Sequence, residues 1–188
     1  MTDRIKEPDS NCDNPSSCPE PAASRAQTDS GMRRAGYFGK VSADEFVKHA
    51  SKEAYQHARL PVRATAGSAG YDFVTPVDIT LEPGESAVIP TGIQAKMEDG
   101  VVLLLFPRSG LGFSHGMRLA NTTGVIDSDY CHAPNQGHIL VRIVNGNAAP
   151  LKLKAGDRFC QGVFLPFLLT IDDEQGAERA GGIGSTGL

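Results

Sequence analysis

Val77-Asp78-Ile79-Thr80-Leu81-Glu82-Pro83-Gly84-Glu85-Ser86-Ala87-Val88-Ile89 reads as a strand, a tight turn and a second strand. Val77, Ile79 and Leu81 alternate with Asp78 and Thr80, a period of two that sets one face of an extended segment against a core. Pro83-Gly84 supplies the turn chemistry. The texture repeats outward from residue 60 to about 171. Asp99-Gly100 and Asn145-Gly146 mark further turns, and 86–89, 101–106, 139–144 and 162–169 read as strands. Leu151-Lys152-Leu153-Lys154 alternates again. Many short strands at such intervals predict an all-β sandwich or barrel.

Outside that block the composition shifts. Residues 1–31 carry Pro, Ser, Asn, Asp and Glu with almost no large apolar side chains. Such a segment cannot bury enough surface to offset its ordering entropy and is expected to be disordered. In 32–59, Tyr37-Phe38-Gly39-Lys40-Val41 reads as a short strand. Ser42 with Glu45 three residues on is a capping-box pattern, and Phe46, Val47, Ala50 and Ala54 recur at helical spacing. One amphipathic helix over 43–57 is predicted, an accessory to the β block. The tail from 172 is polar and Gly-rich, a flexible arm.

The 188 residues suffice for one folded domain plus an extra segment. A net charge of −4 argues against a general nucleic-acid surface. It leaves room for phosphate binding, which needs only a few placed arginines and amides. No apolar run approaches a membrane span, and the N-terminus lacks a basic-then-apolar leader, so a soluble cytoplasmic protein is expected. Cys12, Cys18, Cys131 and Cys160 form no metal or disulfide pattern. Cys160 reads as a small buried hydrophobe, and Cys131 as a thiol beside the candidate pocket. The histidines are scattered without metal spacing, with His132 and His138 as loop residues.

Chemistry concentrates in a few blocks. Asn121-Thr122-Thr123-Gly124-Val125-Ile126-Asp127-Ser128-Asp129-Tyr130 reads as two extended pieces joined by a turn, a hairpin. Val125 and Ile126 run into Asp127, a carboxylate placed to orient and deprotonate a water. The Asn121 amide offers donor and acceptor to the edge of a planar heterocycle, and Tyr130 offers a flat ring to a sugar. A solvated Asp-Ser-Asp turn is the plain alternative. Arg108-Ser109-Gly110 combines a bidentate phosphate donor, a hydroxyl and close backbone approach. Gly112 and Ser114 continue that loop. Arg179-Ala180-Gly181-Gly182-Ile183-Gly184-Ser185-Thr186-Gly187 can close amides and hydroxyls over a polyphosphate.

With Ser68-Ala69-Gly70-Tyr71-Asp72 and Gly156-Asp157-Arg158-Phe159-Cys160-Gln161, these five blocks in this order resemble the trimeric dUTP pyrophosphatase (dUTPase) family. The resemblance covers residue 60 to the end. It implies a jelly-roll-like distorted β-barrel assembling as a homotrimer with shared sites, and a magnesium-dependent conversion of dUTP to dUMP and pyrophosphate. By resemblance Asp127 activates the water that attacks the α-phosphorus. Arg108, Ser109, Gly110 and Gln161 hold phosphates, and Asp72 supports waters around a Mg2+ ion held mainly by the triphosphate. Asn121 and the backbone of Gly124, Val125 and Ile126 read uracil, while Tyr130 lies under the sugar. Arg179, Gly184, Ser185 and Thr186 of the arm reach the phosphates, usually in a neighbouring subunit. Asp157 and Arg158 are expected as a structural ion pair.

The chain departs from the usual pattern twice. Residues 131–136 lengthen the tip after Tyr130, a form associated with some bacterial and phage-like members. Ile183 stands where an aromatic lid over uracil is usual, and it covers by apolar contact without stacking. Two rivals remain on the same fold. A dCTP deaminase needs a Glu where Arg142 falls, which disfavours it. A nucleotide-sensing regulatory protein suits the extra N-terminal segment, which could bind a protein partner not identifiable from sequence.

Overall fold

A computed structural model describes residues 33–174. Arg33 and Arg34 are irregular backbone, and the described residues from Ala35 onward belong to one compact unit. Strand β1 (Gly36–Lys40) leads into two single-turn helices, α1 (Ala43–Phe46) and α2 (Lys52–Tyr55). Strands β2 (Val62–Arg63), β3 (Tyr71–Val74), β4 (Ile79–Leu81), β5 (Ser86–Pro90) and β6 (Ile93–Met97) follow. β7 (Val101–Pro107) runs into helix α3 (Ser109–His115), then β8 (Met117–Leu119), β9 (Gly124–Ile126) and a 3₁₀ turn at Ser128–His132. β10 (Leu140–Asn145), β11 (Leu151–Leu153) and β12 (Arg158–Pro166) complete the described elements.

The ladders are antiparallel and fall into four sheets, ordered β1-β6, β5-β10-β8, β11-β4 and β2-β3-β12-β7-β9. This confirms the all-β expectation. The Pro83-Gly84 turn, with Gly84 at φ 80, does not close a hairpin. β4 pairs with β11 and β5 with β10, so the turn carries the chain from one sheet to another. Asn145 ties that crossing: Gly84 N donates to its carbonyl (2.8 Å), and its buried side-chain amide donates to Leu81 O (3.0 Å) and Ala149 O (2.9 Å).

Alternation places the core. Along β7, Val101, Leu103 and Leu105 are buried while Val102 and Leu104 are half-buried. Leu103 and Leu105 meet Phe73, Ile89, Ile93, Met117, Leu119, Ile139, Ile143 and Phe159 in one cluster. Each fully buried side chain of this size stabilises by about 1.5–3 kcal/mol. β12 pairs with β7 from Cys160↔Pro107 to Pro166↔Val101 and with β3 on its other side. Cys160 is fully buried, as the sequence suggests, and burial pushes its thiol well above the usual range.

Several expectations need correction. The predicted 43–57 helix is two one-turn helices. Ser42 Oγ accepts from Glu45 N as expected, but Ser51 Oγ accepts from Ala54 N and starts a second helix. The intervening turn brings Val41, Phe46 and Ala58 into the interior while Val47 stays exposed. Gly112 and Ser114 lie in α3, not in a loop. The strand expected at 162–169 begins earlier, at Arg158, and ends at Pro166.

The expected hairpin over 121–130 does not form. β8 pairs with β10, whereas β9 is the last strand of the five-stranded sheet, beside β7. Tyr130 lies in the 3₁₀ turn. Local pattern predicts extended segments; which neighbour each one finds depends on strands distant in sequence.

Candidate active site

Three strands of the large sheet build a cationic cluster. Across the ladder Asp72 of β3 faces Gln161 of β12, and Gln161 faces Phe106 of β7, two residues before Arg108. Asp72 is 8% exposed and engages two guanidiniums: Arg108 Nε at 2.9 Å from Oδ1, and Arg158 Nη1 at 3.1 Å from Oδ2. A buried carboxylate in this position is a fixed anchor that aims both arginines. Arg108 precedes α3, and its N–H donates to Phe159 O at 3.2 Å, tying the β7–α3 junction to β12. Ser109 and Gly110, in the first turn of α3, are exposed. A Cβ at Gly70 would overlap the side-chain oxygen of Gln161, so the missing side chain at 70 makes room for that amide.

The expected Asp157–Arg158 pair is therefore wrong. Arg158 turns to Asp72, and Asp157 Oδ2 accepts from Lys154 N at 2.8 Å. Adjacent residues entering a strand point to opposite faces, which is why neighbours in sequence are poor partners here. Arg158 is the second arginine on Asp72, a partnership that sequence reading missed, and its place at the head of an antiparallel strand was the available signal.

A second group gathers around Asp127. Gly124 of β9 packs on Leu105, and a Cβ there would stand 3.1 Å from the Leu105 Cβ. Val125 and Asp127 are exposed, so the two β-branched residues do not lead into a buried carboxylate. Asp127 caps the 3₁₀ turn with extended backbone and accepts from Tyr130 N through its carbonyl (3.2 Å). Tyr130 is 6% exposed; its hydroxyl donates to His138 O (2.9 Å) and accepts from Asn135 Nδ2 (2.8 Å). Asn121 is exposed on the connection from β8. Thr122 (φ 66) and Gln136 (φ 58) are the non-glycine residues with left-handed φ, and they bracket this loop. Strain of this kind concentrates at ligand sites.

One protomer does not unite the two groups. Ile126, just before Asp127, pairs with Leu103, while Arg108 lies beyond the other end of β7. At ~3.3 Å per strand residue, Asp127 and Arg108 sit about 15–20 Å apart along the sheet. Arg179, Ile183, Gly184, Ser185 and Thr186 lie outside the described residues.

Around Asp72 both carboxylate oxygens carry a guanidinium, so the surroundings fit a bound polyphosphate and fit no protein cage for Mg2+. A water-mediated contact from Asp72 to an ion would have to use the remaining lone pairs. Elsewhere Glu45, His49 and His138 offer ligand atoms within 4.8 Å of one another, so these histidines are not scattered. His138 is fully buried, and its Nε2 accepts from Gly92 N at 3.0 Å. Its Nδ1 must then carry the proton, which suits donation and not metal ligation. Burial, then the nearby His49, pushes His138 down to about 4, against the opposing effect of Glu45. Cys131 is half-buried with its thiol against Ser128 O (3.3 Å), and burial raises it above the ordinary range.

The family model for dUTPase matches residues 56–187, most of the chain. The chain belongs to the dUTPase family. The deoxyuridine 5'-triphosphate nucleotidohydrolase of Lactococcus lactis is 42% identical over 131 residues, which cover 68% of this chain and 87% of that protein. The Chromobacterium violaceum enzyme of the same name is 43% identical over 136 residues, with the same coverage. Among dUTPase structures, that from Streptococcus mutans superimposes with a TM-score of 0.59 at 37% identity, covering 71% of this chain and 98% of its own. The dUTPase of S. aureus phage phi11 shares the fold at 23% identity and a TM-score of 0.58, covering 77% of this chain and 98% of its own. Residues 33–55, which hold β1, α1 and α2, precede the residues matched by the family model.

Proposed function

We propose that this chain hydrolyses dUTP to dUMP and pyrophosphate, which limits uracil in DNA and supplies dUMP for thymidylate synthesis. The family match over 56–187 carries this reading, and relatives bearing the nucleotidohydrolase name support it. In the reaction a bond forms between a water oxygen and the α-phosphorus. The bond from that phosphorus to the α–β bridging oxygen breaks, and its electron pair leaves with pyrophosphate. Asp127 takes the proton of the attacking water. Arg108, aimed by Asp72, binds phosphate oxygens together with Ser109, Gly110 and Gln161, and Arg158 adds positive potential beside them. Developing charge is thereby met by donors already in place.

Asn121 and the backbone of Gly124, Val125 and Ile126 read the edge of uracil, and the crowded strand leaves no room for thymine's methyl. The ring of Tyr130, buried in the single chain, lies under the deoxyribose in this reading. Arg179, Gly184, Ser185 and Thr186 close over the phosphates, with Ile183 over the base. Asp72 would reach a Mg2+ ion only through water, on the lone pairs its two guanidiniums leave, and the ion, held mainly by the triphosphate, would supply charge neutralisation there. A structural Mg(II) ion has been described in the phage phi11 enzyme.

The assembly in this proposal is a homotrimer with shared sites. Two supports are the separation of Asp127 from the Arg108 cluster and the apolar side chains left on a single protomer. Phe113 and Leu168 are 91% and 96% exposed, and Leu165, Phe167, Leu169 and Ile171 are exposed beside Leu168. Exposed apolar side chains gathered along 165–171 suit an interface. No helix among the described residues is long and apolar enough to cross a membrane. A cytoplasmic location and no direct binding of nucleic acid belong to the same proposal, the latter from the net charge of −4.

Chromatographic product analysis with dUTP, dCTP, dTTP and UTP offered separately in magnesium tests the reading. Pyrophosphate and dUMP from dUTP alone are expected. Deamination of dCTP, or binding of dUTP without turnover, overturns it.

A further inference from the structure

We infer that the N-terminal segment 36–58 positions the loop carrying Asp127 and Tyr130, through a two-bond clasp between Ser42 and Gln136. The inference rests on the dUTP-hydrolysing reading of that loop. Ser42 N donates to Gln136 Oε1 (2.8 Å), and Gln136 Nε2 donates to Ser42 Oγ (3.0 Å). From Gln136 a relay of backbone bonds runs back to the site. Gln136 N donates to Ala133 O (2.7 Å), Ala133 N to Tyr130 O (3.1 Å) and Tyr130 N to Asp127 O (3.2 Å). The loop is held in left-handed backbone at Gln136 (φ 58) and Gly137 (φ 69). A non-glycine residue stays in that region only where its surroundings over-determine it. The two hydrogen bonds from the N-terminal segment are such a constraint.

A second contact anchors the same loop. Val41 N donates to Gly92 O (3.0 Å), and Gly92 N donates to His138 Nε2. Gly92 has φ +73, and a Cβ there would stand 2.8 Å from the Ala58 Cβ and 3.3 Å from the Phe46 ring. The backbone at 92 is thus shaped for close approach of the N-terminal segment. Phe46 packs on the His138 ring (centroids 6.0 Å), and the His138 carbonyl accepts from the Tyr130 hydroxyl. The segment reaches both ends of the loop, at Gln136 and at His138. Its β1 residue Phe38 also packs on Tyr71 and Phe73 of β3 and Phe164 of β12, but the clasp itself joins Ser42 to Gln136 and engages neither Asp72 nor its two arginines. The clasp therefore bears on the position of the attacking water and not on phosphate affinity.

The test uses the full chain and its Ser42→Ala, Gln136→Ala, double and Ser42→Thr variants. Steady-state dUTP turnover is measured beside amide hydrogen exchange. The alanine variants are expected to lose kcat about three- to tenfold with KM little changed, since small misplacement of a reacting group lowers rate strongly. Gln136→Ala removes both clasp bonds, whereas Ser42→Ala removes one of them and the cap to Glu45 N, so the double variant should lose kcat little further than Gln136→Ala. Ser42→Thr, which keeps the hydroxyl, should restore kcat. Exchange should quicken at 128–137 and stay as it was in β7 and β12. Unchanged exchange in the loop, quicker exchange across the whole sheet, or a loosened loop with unaltered kcat each overturns the positioning role. Absence of dUTP turnover by the unaltered chain sinks the functional reading instead, and the exchange data then judge the clasp alone.

Discussion

Asp127 and Asp72 show how environment assigns different work to the same functional group. Asp72 is buried between Arg108 and Arg158 and fixes where both guanidiniums lie. Asp127 stands exposed at the start of a 3₁₀ turn, where a carboxylate can meet a water and a substrate. Asp127→Asn keeps shape and removes the base. Turnover of dUTP should fall about 10²–10⁴-fold with nucleotide affinity retained. Equilibrium binding of a non-hydrolysable dUTP analogue beside single-turnover rates checks this, and retained turnover would place the base elsewhere. At this scale the sequence offers Asp127, Arg108 and Gln161 because each sits in a local block of polar chemistry, and the structure sets Arg108 and Gln161 beside Asp72. The sequence misjudged Arg158, whose partner lies 86 positions away in the chain.

The N-terminal elements illustrate how a short helix is held by its contacts. Two one-turn helices have no independent stability, since helix nucleation is costly. They persist by capping at Ser42 and Ser51 and by burying Phe46 against the His138 ring. That ring faces His49, and Glu45, itself paired with Lys48, lies beside it on the same short segment. Its folded value of about 4 lies below the ordinary 6.5, so the unfolded chain binds the extra proton between those values. The associated stabilisation is whole above pH ~6.5 and disappears as pH falls toward ~4. It amounts to roughly 3 kcal/mol at most. Denaturation midpoints recorded from pH 7.5 to 4 should fall more steeply for the unaltered chain than for His138→Gln, whose amide oxygen can still accept from Gly92. Parallel curves for the two would remove His138 as the titrating group. Capping at Ser42 was legible because it is local. The break at Ser51 and the burial of His138 were not, because both depend on where the segment docks.

At the scale of the whole molecule, the site is split. The Arg108 cluster and Asp127 lie toward opposite ends of β7 in one chain, and in the proposed shared-site assembly one copy supplies each part of a centre. Complementation follows from this. Asp127→Asn and Arg108→Ala chains, each inactive alone, should regain activity when co-expressed and assembled together, to about a quarter of the unaltered rate at equal mixing. Mixtures that stay inactive, with mixed assemblies demonstrated by mass, would mean that each protomer builds its own site.

By itself the sequence determined the alternation that makes the chain all-β, the turns, the cap at Ser42 and the residue types able to bind phosphate and activate water. These are properties of neighbours within a few positions, where propensity and side-chain chemistry act directly. Tertiary structure decided that β4 and β5 enter different sheets, that β8 and β9 part company, and that Arg158 belongs to Asp72. It also brought Ser42 to Gln136 across 94 positions. Such choices depend on which distant strands share a ladder and which faces bury together, free energies that no local pattern contains.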